Sequence, residues 1–370
     1  MISIGYMPDT HGGAYEQPEP DAERSAQFAT QLLQEAEQAE RYGFDGVFVP
    51  ERHARSECLF PAPLTLLAAI AARTQRVKLG SYVIMPPLYN PVHLAEEAAM
   101  IDLLSHGRLI LGFGVGYHPR YFDHFGVPIK QREGRFEESL EVMRKAWTTT
   151  GPSAHHGRYY HYDAIHLTPK PYQRPHPPIW IGAFGPKSIA RAGRLGDLWA
   201  MAPFFDTIDT LKAQVEIYQE AAIKAGKTPR IALLRDGWLA SSMEEAKQTF
   251  GRLWVEECKF YFRWGMLAPT PQFRSESDFT VEKVRQYMVL GTAADWLEQL
   301  DRWRAALGVE WFVLRCRVPL GPSAAQVLEC IQRLGEEVLP RLRKEVTSKG
   351  VQTRARRRIL SGDQAIRFKA

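Results

Sequence analysis

Three short stretches of the chain hold residues whose types and spacing could do chemistry. Pro50-Glu51-Arg52-His53 sets an acid, a permanent cation and a titratable ring side by side at the end of an apolar run. Such a group can orient an anion or exchange a proton, or it can be a surface ion-pair cluster. Gly112-Phe113-Gly114-Val115-Gly116-Tyr117 places glycine at alternate positions. Backbone without side chains admits a flat molecule there, or lets another part of the chain pack close. The stretch lacks the spacing of a dinucleotide fingerprint. In the third stretch Gly182-Ala183-Phe184-Gly185 runs into Pro186-Lys187-Ser188. A helix opening at Pro186 would point unpartnered amides outward, with the Ser188 hydroxyl and the Lys187 charge beside them. That suits a phosphate group, and an ordinary strand-to-helix turn is the alternative.

Elements of two kinds must carry these stretches. Short apolar runs alternate with amphipathic segments along the whole chain. Strands are expected at 2–7, 45–51, 77–85, 108–116, from 179, at 197–202, 230–240 and 310–316. Between them lie helical patterns such as 22–42, where Leu32, Leu33, Ala36 and Ala39 share one face. Pro91 in a first turn and Gly107 past the end frame another helix. Thr292 and Asp295 form a possible capping box for the helix before the last strand. Eight strand–helix alternations with near-continuous apolar strands imply a parallel sheet closed into a (β/α)8 barrel of the α/β class. In that fold all three stretches sit where chemistry belongs, at the C-terminal ends of strands. One domain is expected over 1–346. An aromatic-rich insert at about 254–288, between strand seven and the last barrel helix, is either a lid or a packing element.

Bulk properties narrow the classes. At 370 residues and 45% hydrophobic content the chain suits one large barrel. No run of 18 apolar residues is present, and "MISIGYMPDTHGG" lacks the marks of a secretion signal, so a cytoplasmic protein without membrane contact is expected. Four scattered cysteines, Cys58, Cys258, Cys316 and Cys330, read as free thiols. Seven of the 47 Lys and Arg residues, but one of the 42 acids, fall in 349–370, so the remaining chain is close to neutral. The 347–370 segment reads as a basic, mobile tail, and no basic face interleaved with aromatics argues for nucleic acid. His155, His156, His161 and His166 crowd a hairpin-like stretch without a matching acidic or Cys partner, and no metal site is expected.

Taken in order, "DGVFVPERH", "YNPVHLAEEAAMIDLLSHGRLILGFGVGY", "PKPYQRPHPPIWIGAFGPKSIARAGRLGDLW" and "GTAADWLEQLDRWRAALGVEWFVLRC" resemble the bacterial-luciferase-like family of flavin-dependent monooxygenases. The resemblance covers nearly the whole chain. It implies FMN across the C-terminal mouth of the barrel, with Phe184, Gly185 and Ser188, reached through Gly182 and Ala183, at the flavin phosphate. Gly114, Val115, Gly116 and Tyr117 would run beside the flavin. Ser81 and Tyr82 match the place where family members often hold a non-prolyl cis peptide under the flavin ring. Arg52 and His53 would be the catalytic candidates. The resemblance further implies a separate flavin reductase that delivers reduced FMN, reaction with O2, a small apolar organic substrate, and relatives that often form dimers. Three positions depart from the family pattern. Arg52 replaces the first histidine of a Glu-His-His run, Val115 stands where luciferase aims an arginine at the phosphate, and Tyr121 where many relatives carry Glu. The same barrel in F420-dependent hydride-transfer enzymes, or a flavin-binding protein without catalysis, would also explain the motifs.

Overall fold

The computed structural model describes residues 2–343 apart from positions 14, 16, 268, 269 and 271. The expected tail at 347–370 lies outside the described residues. Eleven strands are present among them: β1 (Ser3–Tyr6), β2 (Gly46–Val49), β3 (Lys78–Ser81), β4 (Leu109–Gly114), β5 (Ser153–His156), β6 (His161–Ile165), β7 (Ile179–Gly182), β8 (Leu198–Met201), β9 (Ile231–Leu239), β10 (Val289–Gly291) and β11 (Trp311–Arg315). The α-helices are α1 (Ala22–Arg41), α2 (Pro63–Arg73), α3 (Pro91–Leu104), α4 (Pro119–His124), α5 (Arg132–Thr148), α6 (Pro186–Leu195) and α7 (Ile208–Lys224). Beyond them come α8 (Met243–Ala246), α9 (Arg252–Arg263), α10 (Val281–Val284), α11 (Ala293–Leu307) and α12 (Ala324–Arg333).

Eight strands close a parallel ring in the order β1-β2-β3-β4-β7-β8-β9-β11, with β11 returning to β1. This is the (β/α)8 barrel that the alternation implies. There are two departures. β9 is nine residues long, and its last three pair with β10 outside the ring, a three-residue strand just after the insert and too short to show a period. β3 stops at Ser81, just ahead of the cis Tyr82–Val83 peptide, and Ile84 then rejoins β4 through a single bridge to Phe113. The expected strand over 77–85 is therefore broken. The histidine-rich stretch is the antiparallel hairpin β5–β6.

Local chemistry explains the helix starts. Asn90 accepts the amides of Val92 and His93 ahead of α3, and the Asp295 carboxylate bonds the Thr292 amide at 2.8 Å in a full capping box before α11. The barrel interior is filled by Phe48, Trp180, Trp311, Ile110, Leu198, Ala232 and Val313. Phe48 stacks on Trp180 at 5.1 Å and meets Trp311 edge-on. Its ring needs glycine opposite: a Cβ at Gly80 would stand 2.2 Å from the Phe48 Cδ1. The layer above this plug opens into the site.

Candidate active site

Above the plug, at the C-terminal ends of the strands, a cavity of about 380 Å³ opens. Its size falls within the usual range for small-molecule sites. The stretches singled out by their chemistry converge on it, though not every residue does. Arg52, Tyr82, Gly114, Val115, Gly116, Tyr117, Gly182, Ala183, Phe184 and Ser188 line it, whereas His53, Ser81 and Gly185 do not. The side-chain period of two explains the first two exceptions. Counting from inward-facing Phe48, Arg52 points into the barrel and His53 away from it. The His53 Nε2 lies 2.8 Å from Glu51, and its ring packs against Tyr121 and Phe125. Ser81, one residue before inward-facing Tyr82, is wholly buried and exchanges hydrogen bonds with the amide and carbonyl of Gly112. The cis bond is accordingly Tyr82–Val83, one step beyond the expected pair. The Tyr82 hydroxyl reaches across the barrel and donates to the Met201 carbonyl at 2.8 Å.

The alternate glycines of β4 have an internal occupant. A Cβ on Gly112 would stand 1.9 Å from the Ser81 carbonyl oxygen, and one on Gly114 would stand 2.7 Å from a Val83 methyl. Those two glycines admit the strand-three bend, and Val83 in turn lines the cavity. Gly116 (φ +76°) turns the chain beside Met85 and Phe122. Gly185 is different. Its φ is +75°, no atom lies within 4 Å of where its Cβ would be, and it opens α6 with no side-chain cap. The first helical bond runs from Ile189 to the Gly185 carbonyl. This bare helix start lies between Phe184 and Ser188, which line the cavity together with Arg132. Arg132, at the start of α5, was not legible as a site residue in the sequence; its guanidinium donates to the Ile129 carbonyl and reaches the cavity from a helix adjoining α6.

The cavity floor holds a polar network that the motifs did not reveal. Arg315 on β11 lies between two carboxylates, at 2.5 Å from Asp236 and 2.8 Å from Glu257. Asp236 also accepts from the Trp254 indole at 2.8 Å. Burial raises the Glu257 carboxyl above its ordinary range, and its second oxygen has no partner. A signal for two of these groups did exist: Asp236 inside the apolar run of β9 and Arg315 at the end of β11 are charges in otherwise apolar strands. Beneath Arg52, Asp9 holds the His11 Nδ1 at 2.5 Å. Burial alone would raise Asp9, but His11, Arg315 and Arg52 hold it at about 2. His11, Glu57 and Cys58 bring one ligand atom each within 4.8 Å of the others, yet Glu57 is taken by Arg55, and the nearby guanidiniums of Arg52 and Arg55 oppose a cation.

The insert roofs the cavity. Trp254, Glu257 and Tyr261 of α9, with Met266 and Tyr287, line it alongside Phe204. Arg55, beyond β2, sits within 4.3 Å of the Trp264 ring centroid and 5.0 Å of the Phe260 centroid, pinning α9 to the barrel. The wall is therefore aromatic above and charged below.

No helix among the described residues is long and apolar enough to cross a membrane. Residues 6–334 match the family model of the luciferase-like monooxygenases. The oxygenase component of the flavin-dependent trigonelline monooxygenase of Acinetobacter baylyi is 25% identical over 335 residues, covering 86% of this chain and 91% of that protein. An F420-dependent glucose-6-phosphate dehydrogenase from Gordonia bronchialis is 28% identical over 333 residues, covering 85% and 94%. In fold, the oxygenating constituent of 3,6-diketocamphane monooxygenase from Pseudomonas putida, solved with FMN, superposes with a TM-score of 0.77 at 23% identity over 92% of this chain and 98% of that one. With its eight-stranded parallel barrel and this match along most of its length, the chain belongs to the luciferase-like monooxygenase family and is an oxidoreductase of that general type.

Proposed function

We propose that the protein is the oxygenase of a two-component system, binding reduced FMN from a separate reductase and using O2 to oxidise a small organic substrate. The observation that carries the reading is the uncapped N-terminus of α6 opening beside Ser188 and Arg132 on a cavity large enough for a planar ligand. These residues fit the cofactor. Free amides and a helix dipole favour a dianionic phosphate, the Ser188 hydroxyl adds a donor, and Arg132 adds the charge that Val115 does not. Val83, Tyr82 and the Gly114–Gly116 backbone offer an apolar floor for a flat ring. When bound, reduced FMN supplies the electrons with which O2 is activated. The chain's own residues do the rest: Trp254, Tyr261, Met266 and Tyr287 keep water out, and Arg52 orients the substrate. His53 supports Glu51, which accepts from the Met85 amide and the Tyr89 hydroxyl and so sets the rim.

The F420-dependent relative supports a second reading, hydride transfer with the deazaflavin in the same cavity. Anaerobic titration with reduced FMN and with reduced F420, followed by admission of O2, separates the two. The first reading expects micromolar binding of reduced FMN and slower oxidation of the bound form than of FMN free in buffer. Binding of F420 alone, with no response to O2, would establish the second.

A further inference from the structure

Two groups of opposite character along the cavity, Glu257 and Arg52, define a substrate; Arg235, whose Nε and Nη2 also lack partners, lays its guanidinium over the Trp303 ring instead. Of the carboxylates facing it, Glu51 is filled by His53, Tyr89 and the Met85 amide, Glu133 by Arg191, and Asp236 by Arg315 and Trp254. Among the described residues Glu257 is the one of these four with a buried oxygen lacking a partner: Oε1 accepts from Arg315, while Oε2 has none. Arg315 serves Asp236 and Glu257 together, so two carboxyl groups share one guanidinium at that end. A second anion is repelled there, and a nitrogen donor or cation is drawn in, with the Trp254 and Tyr261 rings beside it. Arg52 is the converse. It lines the same cavity half-buried, its one hydrogen bond goes to the Thr10 hydroxyl at 3.1 Å, and among the described residues no carboxylate lies within 4.0 Å of it. A guanidinium has five donors in a planar fork that matches a carboxylate, so four of them await an acceptor.

We infer that the substrate is a small organic acid bearing an ammonium or other strongly donating nitrogen, its carboxylate held by Arg52 and its nitrogen by Glu257. The inference rests on the barrel-mouth cavity being the substrate site of the proposed oxygenase. Asp236 lies too fully engaged to take the nitrogen, and Arg132 stands at the α6 end, where the phosphate belongs. The aromatic roof then covers the flat or aliphatic span between the two charged ends.

Calorimetric titration of the full chain, with and without oxidised FMN, tests this with three probes of one shape: 3-(aminomethyl)benzoate, its methyl ester and 3-methylbenzoate. The zwitterion should bind at least about tenfold more tightly than either singly charged probe, as expected for one charge-assisted hydrogen-bonded pair. Arg52→Met should erase the preference for acid over ester, and Glu257→Gln the preference for the aminomethyl over the methyl probe. Equal binding of ester and zwitterion by the unmodified protein, no binding of the zwitterion at millimolar concentration, or an acid preference that survives Arg52→Met overturns the inference. If a variant fails to fold, the three-probe series on the unmodified protein decides by itself. Loss of FMN binding with the probe preferences intact would overturn the cofactor reading alone.

Discussion

Arg52 and His53 are neighbours in sequence and opposites in space. The residue with the more familiar catalytic chemistry faces away from the cavity, while the arginine faces in. A second histidine, His11, matters to stability. Burial holds its imidazole at about 4, below the ordinary 6.5, against the pull of Asp9. The unfolded chain therefore takes up the proton first as pH falls. The contribution of His11 is complete above about 6.5 and is lost as pH drops toward 4. Asp9, held at about 2 instead of 3.8, adds a second loss below that window. Urea unfolding at pH 7 and pH 5 should show a marked drop in midpoint for the unmodified protein and a smaller one for His11→Gln; equal drops would contradict this account of His11. At this scale the site was partly legible. Ser188 and Arg52, singled out by type and position, line the cavity, whereas Gly185 does not. Ser81 and His53 misled because they sit one residue off the inward phase, and Arg132, Asp236, Glu257 and Arg315 belong to no local motif, since only barrel closure brings them together.

The element with most leverage on function is α9. Its inner face supplies Trp254, Glu257 and Tyr261 to the cavity, and its far end is clasped by Arg55 through the rings of Phe260, Tyr261 and Trp264. Cation–π contacts are each worth about 0.5–2 kcal/mol, and Arg55 also pairs with Glu57 at 2.5 Å. Arg55→Ala should speed amide exchange in α9 while leaving β1–β4 protected, and should raise the fraction of reduced cofactor oxidised without product. Unchanged exchange in α9 would show that the clasp does not hold the roof. The aromatic composition of 254–288 made a lid or a packing element equally readable. Nothing in it indicated that one arginine outside the insert, 200 residues earlier, fastens it.

For the whole molecule, the eight-fold alternation was readable because barrel strands are buried on both faces and so appear as unbroken apolar runs. The short β10 was not, because a three-residue strand leaves no period to detect; the cis peptide after β3 was expected only from the family resemblance. The plug below the site ties fold to function. Phe48, Trp180 and Trp311 close the barrel's centre and set the height of the cavity floor. Phe48→Ala should cost about 3–5 kcal/mol in denaturant unfolding, because Gly5, Gly46 and Gly80 around it have no side chains with which to fill the void. A loss below about 1 kcal/mol would mean that the barrel collapses onto the cavity.

The most direct test of the account compares reduced FMN with reduced riboflavin, which lacks the phosphate, in anaerobic titrations of the unmodified protein and of Arg132→Ala and Ser188→Ala. The account predicts micromolar binding of FMN, binding of riboflavin weaker by about tenfold or more, and a gap that narrows in both variants, as the loss of charge-assisted bonds worth about 1.5–3 kcal/mol requires. Riboflavin binding as tightly as FMN, or a gap untouched by either substitution, would contradict the assignment of the α6 N-terminus as the phosphate seat.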